Sequence, residues 1–253
     1  GIPAEPLVRS SEDASGVRAH VLGYPPSGIV EIIAVSSGYF AMKFTDTLRK
    51  KADAIWEANF DHPFVRGIGD GSLDEEKFKF YLAQDYVYLK DFCRFVAIAV
   101  AKSRDLDSMG RFSDLLGLTL KVEMDLHRSI CSDFGISAEE LEGTEPAPYC
   151  LGYSSYLLRI AYEGDFLDLL TAFLPCEWGY VEIGSRLRAK GIPSHPHYAQ
   201  WIETYASSEF RELTDSLKDL LNQLTEGASK DKLDRLQEVF NFSSRWERLF
   251  GDM

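Results

Sequence analysis

Phe78-Lys79-Phe80-Tyr81-Leu82-Ala83-Gln84-Asp85-Tyr86-Val87-Tyr88-Leu89-Lys90-Asp91-Phe92-Cys93-Arg94-Phe95-Val96-Ala97-Ile98-Ala99 decides the fold. Phe78, Tyr81, Leu82, Tyr88, Leu89, Phe92, Phe95, Val96 and Ala99 recur at helical spacing, which predicts one long helix to about Lys102. Ser72 and Glu75 read as a capping box that starts it. One polar residue interrupts the stripe. Asp85 stands where Phe78, Phe92 and Ala99 stand one or two heptads away, with Tyr81 and Tyr88 beside it at i−4 and i+3. A carboxylate there is buried or lines a cavity. It either pairs with an Arg or Lys of a neighbouring helix or serves a site.

Working outward, the same periodicity covers the chain from Met42. Phe44, Leu48, Ala52, Ile55, Trp56 and Phe60 form one stripe, and His62 to Gly71 reads as a glycine-rich loop. A third helix is expected from Asp107 to Phe134, stopped by Gly135. Ser137 and Glu140 make a capping box around a short turn. Helices follow from Tyr149 to Tyr162, Phe166 to Leu187, His197 to Tyr205, Ser208 to Leu224 and Asp231 to Phe250. No strand pattern stands out after Met42. The reading is an all-α domain of seven or eight helices over 42–253. Residues 1–41 differ: they carry Pro3, Pro6, Pro25 and Pro26, lack a helical period, and contain a short strand pattern over Gly28–Val35. They read as a non-helical N-terminal extension, without the pattern of a secretory signal or transit peptide.

Composition narrows the function. A formal charge of −13 over 253 residues disfavours nucleic acid and anionic membranes as partners. No apolar run reaches the roughly 18 residues of a membrane span. The four cysteines, Cys93, Cys131, Cys150 and Cys176, include no C-x-x-C pair and read as reduced thiols of a cytoplasmic protein.

One cysteine stands out. Leu174-Pro175-Cys176-Glu177-Trp178-Gly179-Tyr180 lies inside the Phe166–Leu187 segment. The proline is expected to kink or restart that helix, which would leave free N–H groups beside Cys176 and favour its thiolate. The plainer alternative is a kinked core helix with a small buried cysteine. Glu177 first draws attention as its neighbour, but at i+1 it is expected on another face. In the last helix Glu247 shares a face with Phe240, Ser243 and Phe250. Among aromatics its pKa would rise; on the solvated side it would pair with Arg245 or Arg248. Tyr153, Tyr156 and Tyr205 read as core edges that can also stack on a planar heterocycle. Glu123 and His127, at i and i+4, have metal-ligand spacing but lack a second helical pair, and read as a surface pair.

Four runs together carry a resemblance. They are His62-Pro63-Phe64-Val65-Arg66-Gly67-Ile68-Gly69-Asp70-Gly71, Gln84-Asp85-Tyr86-Val87-Tyr88-Leu89, the Leu174–Tyr180 run, and Trp201-Ile202-Glu203-Thr204-Tyr205. In this order and spacing, from about Met42 to Phe250, the chain resembles the TenA family (thiaminase II). The resemblance implies a heme-oxygenase-like helical bundle without heme, a homotetramer, and no cofactor or metal. It implies hydrolysis of 4-amino-5-aminomethyl-2-methylpyrimidine to the hydroxymethyl pyrimidine and ammonia, with thiamin a poorer substrate. Carried across, the nucleophile falls on Cys176, the pyrimidine anchor on Asp85 and the proton-exchanging glutamate on Glu247. Pocket tyrosines fall on Tyr88, Tyr153, Tyr180 and Tyr205. Cys176 puts the chain in the cysteine-containing branch. Two competitors stay open: a cofactorless or metal-dependent oxidase on the same fold, and a non-catalytic binder of thiamin or its pyrimidine half.

Overall fold

A computed structural model describes residues 42–253; the expected extension over 1–41, with its Gly28–Val35 strand pattern, lies outside the described residues. The described chain is helical throughout. It begins with α1 (Phe44–Lys51), α2 (Asp53–Phe60), α3 (Pro63–Asp70) and the long α4 (Glu75–Lys102). Next come α5 (Leu106–Leu118), a π-helical turn over Thr119–Glu123, α6 (Met124–Asp133) and the short α7 (Ala138–Glu142). The second half holds α8 (Pro148–Glu163), α9 (Phe166–Lys190), α10 (Pro196–Tyr205), α11 (Ser208–Leu224) and α12 (Lys230–Gly251).

There are more helices than the pattern predicted, for identifiable reasons. The segment read as a glycine-rich loop is α3. The His62 ring accepts from the Phe64 N–H at 3.2 Å as N-cap and Pro63 takes the first helical position. Its glycines serve packing: a Cβ on Gly69 would lie 2.6 Å from the Leu187 side chain. Helix α4 is capped by Asp74, whose carboxylate accepts from the Glu76 N–H at 2.9 Å, so the expected Ser72–Glu75 box is displaced. The expected single helix from Asp107 to Phe134 is divided by the π turn, and Gly135 ends it with φ 79°. The Ser137–Glu140 capping box forms as expected.

Helix α9 occupies the middle of the bundle. It packs on α12, α11, α10 and α8, while α4 packs on α8 and α5. Pro175 does not break it: Phe166 to Lys190 is one continuous helix. Phe173, Leu174 and Trp178 are buried around the proline, and this packing holds the helix through the single lost N–H bond. The helix-restart reading is therefore corrected.

Polar ties fix the other site-bearing helices. Gln84 on α4 clamps the start of α8, donating to Glu145 O at 3.1 Å and accepting from the Ala147 N–H at 2.7 Å. The indole N–H of Trp56 donates to Ser244 Oγ at 2.9 Å and Ser244 donates to Phe240 O at 2.8 Å, which ties α2 to α12. Backbones approach closely at Gly184, where a Cβ would meet the Ala206 N and Tyr205 C backbone atoms at 2.8 Å. Gly184→Ala is expected to push α10 away and destabilise the protein by roughly 1–3 kcal/mol. A urea titration that leaves the midpoint unchanged would contradict this close packing.

Candidate active site

The side chains that break the apolar stripes converge on one cavity among α4, the π turn, α8, α9, α10, α11 and α12. Its lining includes Asp85, Tyr88, Tyr153, Cys176, Tyr180, Tyr205 and Glu247, so the structure brings every expected site residue together. Each arrives from a helix whose position the core dictates.

Cys176 projects into the cavity from the interior of α9. The Tyr88 hydroxyl donates to its Sγ at 3.7 Å. No helix N-terminus lies at this thiol, since α9 begins ten residues earlier at Phe166. Burial pushes its pKa well above that of an ordinary thiol, and the negative charges of Glu247 and Glu177 push in the same direction. The Tyr88 hydrogen bond opposes them. At neutral pH the resting group is a thiol, which corrects the expectation of a helix-favoured thiolate.

Glu247 sits on the cavity side of α12 rather than on its solvated side. Burial raises its pKa to about 7, against the hydrogen bond from the Tyr153 hydroxyl and the neighbouring Cys176 thiol, which favour the carboxylate. A carboxyl balanced near neutrality that lines the same cavity as a thiol can accept a proton from sulfur and pass it on.

Asp85 is buried on α4, and its partner is neither Arg nor Lys. His127 Nε2 lies 2.7 Å from Asp85 Oδ2, and His127 Nδ1 lies 2.9 Å from the Glu123 carbonyl oxygen. The carbonyl can only accept, so Nδ1 carries a proton; a second proton must then lie between Nε2 and Oδ2. Burial alone would lower the His127 pKa, but the Asp85 hydrogen bond and charge raise it to about 9. The pair is an imidazolium donating to a carboxylate, with Asp85 Oδ1 left to meet a ligand.

Aromatic rings form the walls. Tyr88 and Tyr153 stack with centroids 5.3 Å apart. Tyr180 tilts against Tyr205 at 4.6 Å, and its hydroxyl lies 3.2 Å from that of Tyr81, which also accepts from the Trp201 N–H at 3.4 Å. All of these phenols are held neutral by burial. The cavity is lined by both aromatic rings and carboxyl groups.

Three participants escaped sequence reasoning. His127 and Glu123 were read as a surface pair, yet His127 is buried, sharing its face with Met124 and Cys131 at i−3 and i+4. That apolar stripe was the available signal. Glu177 was expected on a different face but also lines the cavity. Because α9 crosses the middle of the site, successive residues meet opposite walls. Burial, then the charges of Glu123 and Glu247, raise its pKa to about 8.

The sequence comparisons agree with this geometry. Residues 49–253 match the model of the TENA/THI-4/PQQC family. The chain belongs to that family. It is 50% identical over 215 residues to the aminopyrimidine aminohydrolase of Halalkalibacterium halodurans, covering 84% of this chain and 95% of the relative. Among solved structures, a protein titled a TenA family transcription regulator from Silicibacter sp. TM1040 superposes with a TM-score of 0.79 at 35% identity, covering 83% of this chain and 96% of that one. A domain of unknown function with a heme oxygenase-like fold from Shewanella denitrificans shares the architecture at TM-score 0.65 and 15% identity, over 82% and 90% of the two chains. The TENA/THI-4 fold is thus the expected heme-oxygenase-like bundle. Among the described residues no buried histidine offers a free ring nitrogen to a haem. The buried ones are His62 and His127, and both have their two ring nitrogens engaged, His62 with Asp252 and the Phe64 N–H. Nor do the described residues contain a cluster of three His, Cys, Asp or Glu side chains suited to a metal ion, and none of their helices is long and apolar enough to cross a membrane.

Proposed function

We propose that this chain is a hydrolase that converts 4-amino-5-aminomethyl-2-methylpyrimidine to the 5-hydroxymethyl pyrimidine and ammonia, and that splits thiamin at the same methylene. The observation that carries this reading is one aromatic-walled cavity that holds the Cys176 thiol, the Tyr153-bonded Glu247 carboxyl and an Asp85 anchored by His127. The name of the half-identical Halalkalibacterium relative supports the same substrate class.

The chemistry follows from the residues. Asp85 accepts from the exocyclic amine and fixes the ring between the tyrosines. Glu247, as carboxylate, takes the Cys176 proton and delivers it to a ring nitrogen, which makes the ring electrophilic. The Cys176 sulfur adds to a ring carbon. The resulting electron-rich ring expels the amine from the methylene, water adds there, and the thiolate leaves to recover its proton. A homotetrameric assembly is part of this reading.

The scheme fixes a pH dependence. Activity needs the Glu247 carboxylate, so kcat/KM rises through about pH 7. The Tyr153 hydrogen bond favours the charged form, so its loss raises the Glu247 pKa. Tyr153→Phe is therefore expected to move the acidic limb alkaline by roughly one pH unit, whatever it does to the maximal rate. A limb that stays in place or moves to lower pH contradicts the role given to Glu247.

The reading is tested by offering the aminomethyl pyrimidine to the purified chain and measuring ammonia and bound pyrimidine together. Release of ammonia supports the hydrolase. Binding without release would make the protein a pyrimidine-binding module, and release that tracks added iron would favour an oxidase.

A further inference from the structure

Two acidic side chains of the cavity have no part in the scheme above. Glu177 is only 6% exposed, and its Oε2 has no hydrogen-bond partner. Among the described residues no Lys or Arg pairs with Glu177 or Glu123, and the nearby His127 cation is already engaged with Asp85. A buried carboxyl without a partner is costly, and such groups are retained where a ligand supplies what the fold does not.

Their position says which ligand. Beside the cavity runs a second space of about 320 Å³, an apolar groove walled by Leu115, Leu118, Leu126 and Leu213. Glu123, Glu177, Tyr205 and Phe210 line both spaces. The two carboxyls therefore sit between the pyrimidine cavity and the groove. A group placed there needs positive charge towards the acids and apolar surface beyond them.

Resting on the function proposed above, the geometry points to Glu177, with Glu123, as a subsite for a cationic nitrogen on the methylene of the pyrimidine. The groove accommodates whatever else that nitrogen bears. For the aminomethyl pyrimidine the nitrogen is an ammonium. When the methylene C–N bond breaks, the electron pair goes to nitrogen and neutral ammonia leaves. The carboxyls keep the amine protonated until that moment, which makes it a competent leaving group. For thiamin the nitrogen is the quaternary thiazolium, whose ring enters the groove.

The test is a set of dissociation constants on the full chain carrying Cys176→Ala, which prevents turnover. The ligands are the cationic aminomethyl pyrimidine, thiamin and the neutral 5-hydroxymethyl pyrimidine. Adding Glu177→Gln is expected to weaken the aminomethyl compound by roughly 10- to 100-fold while leaving the neutral pyrimidine within about twofold. Glu123→Gln is expected to act in the same direction and more weakly, which guards against a folding defect peculiar to one variant. Thiamin measured alongside separates a subsite for any cationic nitrogen, where it weakens too, from one for the ammonium alone, where it does not. Equal weakening of charged and neutral ligands, or of neither, overturns the subsite. Failure of the neutral pyrimidine to bind even with Glu177 intact overturns the aminopyrimidine reading itself.

Discussion

Replacing Cys176 with alanine is expected to lower kcat by on the order of 10⁴-fold or more while leaving pyrimidine affinity within a few-fold. The asymmetry follows from the geometry. The sulfur is the one soft nucleophile in the cavity, and the ring is held by other groups, Asp85 and the stacked tyrosines. Pre-steady-state binding and single-turnover rates separate the two quantities. A variant that binds normally and still turns over at a tenth of the original rate would show that water attacks without a covalent adduct. Stability should change little, since Cys176 lies on the cavity wall and its removal leaves no closed void.

The second large effect is expected at Glu247. Glu247→Gln keeps the shape and can still meet the Tyr153 hydroxyl, but it can neither accept nor deliver a proton. The loss expected is about 10²–10⁴-fold in kcat/KM, the usual range for a general acid–base group. The acidic limb near pH 7 should vanish with it, because the titrating carboxyl is gone. The sign is specific. The native carboxylate is favoured by the Tyr153 hydrogen bond and the neighbouring Cys176 thiol and opposed by burial, so activity is expected to increase as the group ionises. A Gln variant that retains the native limb would assign the titration elsewhere, to Glu123 or Glu177, whose pKa values lie at about 7 and about 8.

Much of this site was legible in the sequence because a buried polar residue interrupts a periodic pattern. Asp85 betrayed itself against Phe78, Phe92 and Ala99, and Cys176 by its place beside a proline in an apolar helix. What the pattern could not carry was the partner's identity. An interrupted stripe says that a carboxylate is inside, not that the imidazole meeting it comes from forty-two residues further on. Glu177 shows a second limit. Assigning faces by helical angle assumes one buried side, and α9 has none that is solvated near the site. The Pro175 reading failed because tertiary packing overrode a local rule, and with it went the helix-terminus explanation for the thiol. Tyr88 is what the structure supplies in its place, a hydroxyl hydrogen-bonded to the sulfur.

The helix count reveals a related boundary. The π turn over Thr119–Glu123 has no marker in composition, yet it shapes the wall that carries Glu123 and presents its carbonyl to His127. The segment His62–Gly71 had a legible marker in His-Pro, an N-cap and first-turn pair, that the glycines concealed.

The most direct measurement is ammonia release from the aminomethyl pyrimidine by the native chain and the Cys176→Ala variant in parallel, with the hydroxymethyl product quantified in the same samples. The account predicts one ammonia per hydroxymethyl pyrimidine from the native protein and a rate indistinguishable from background for the variant. No ammonia from the native protein, or equal rates from both, would contradict it.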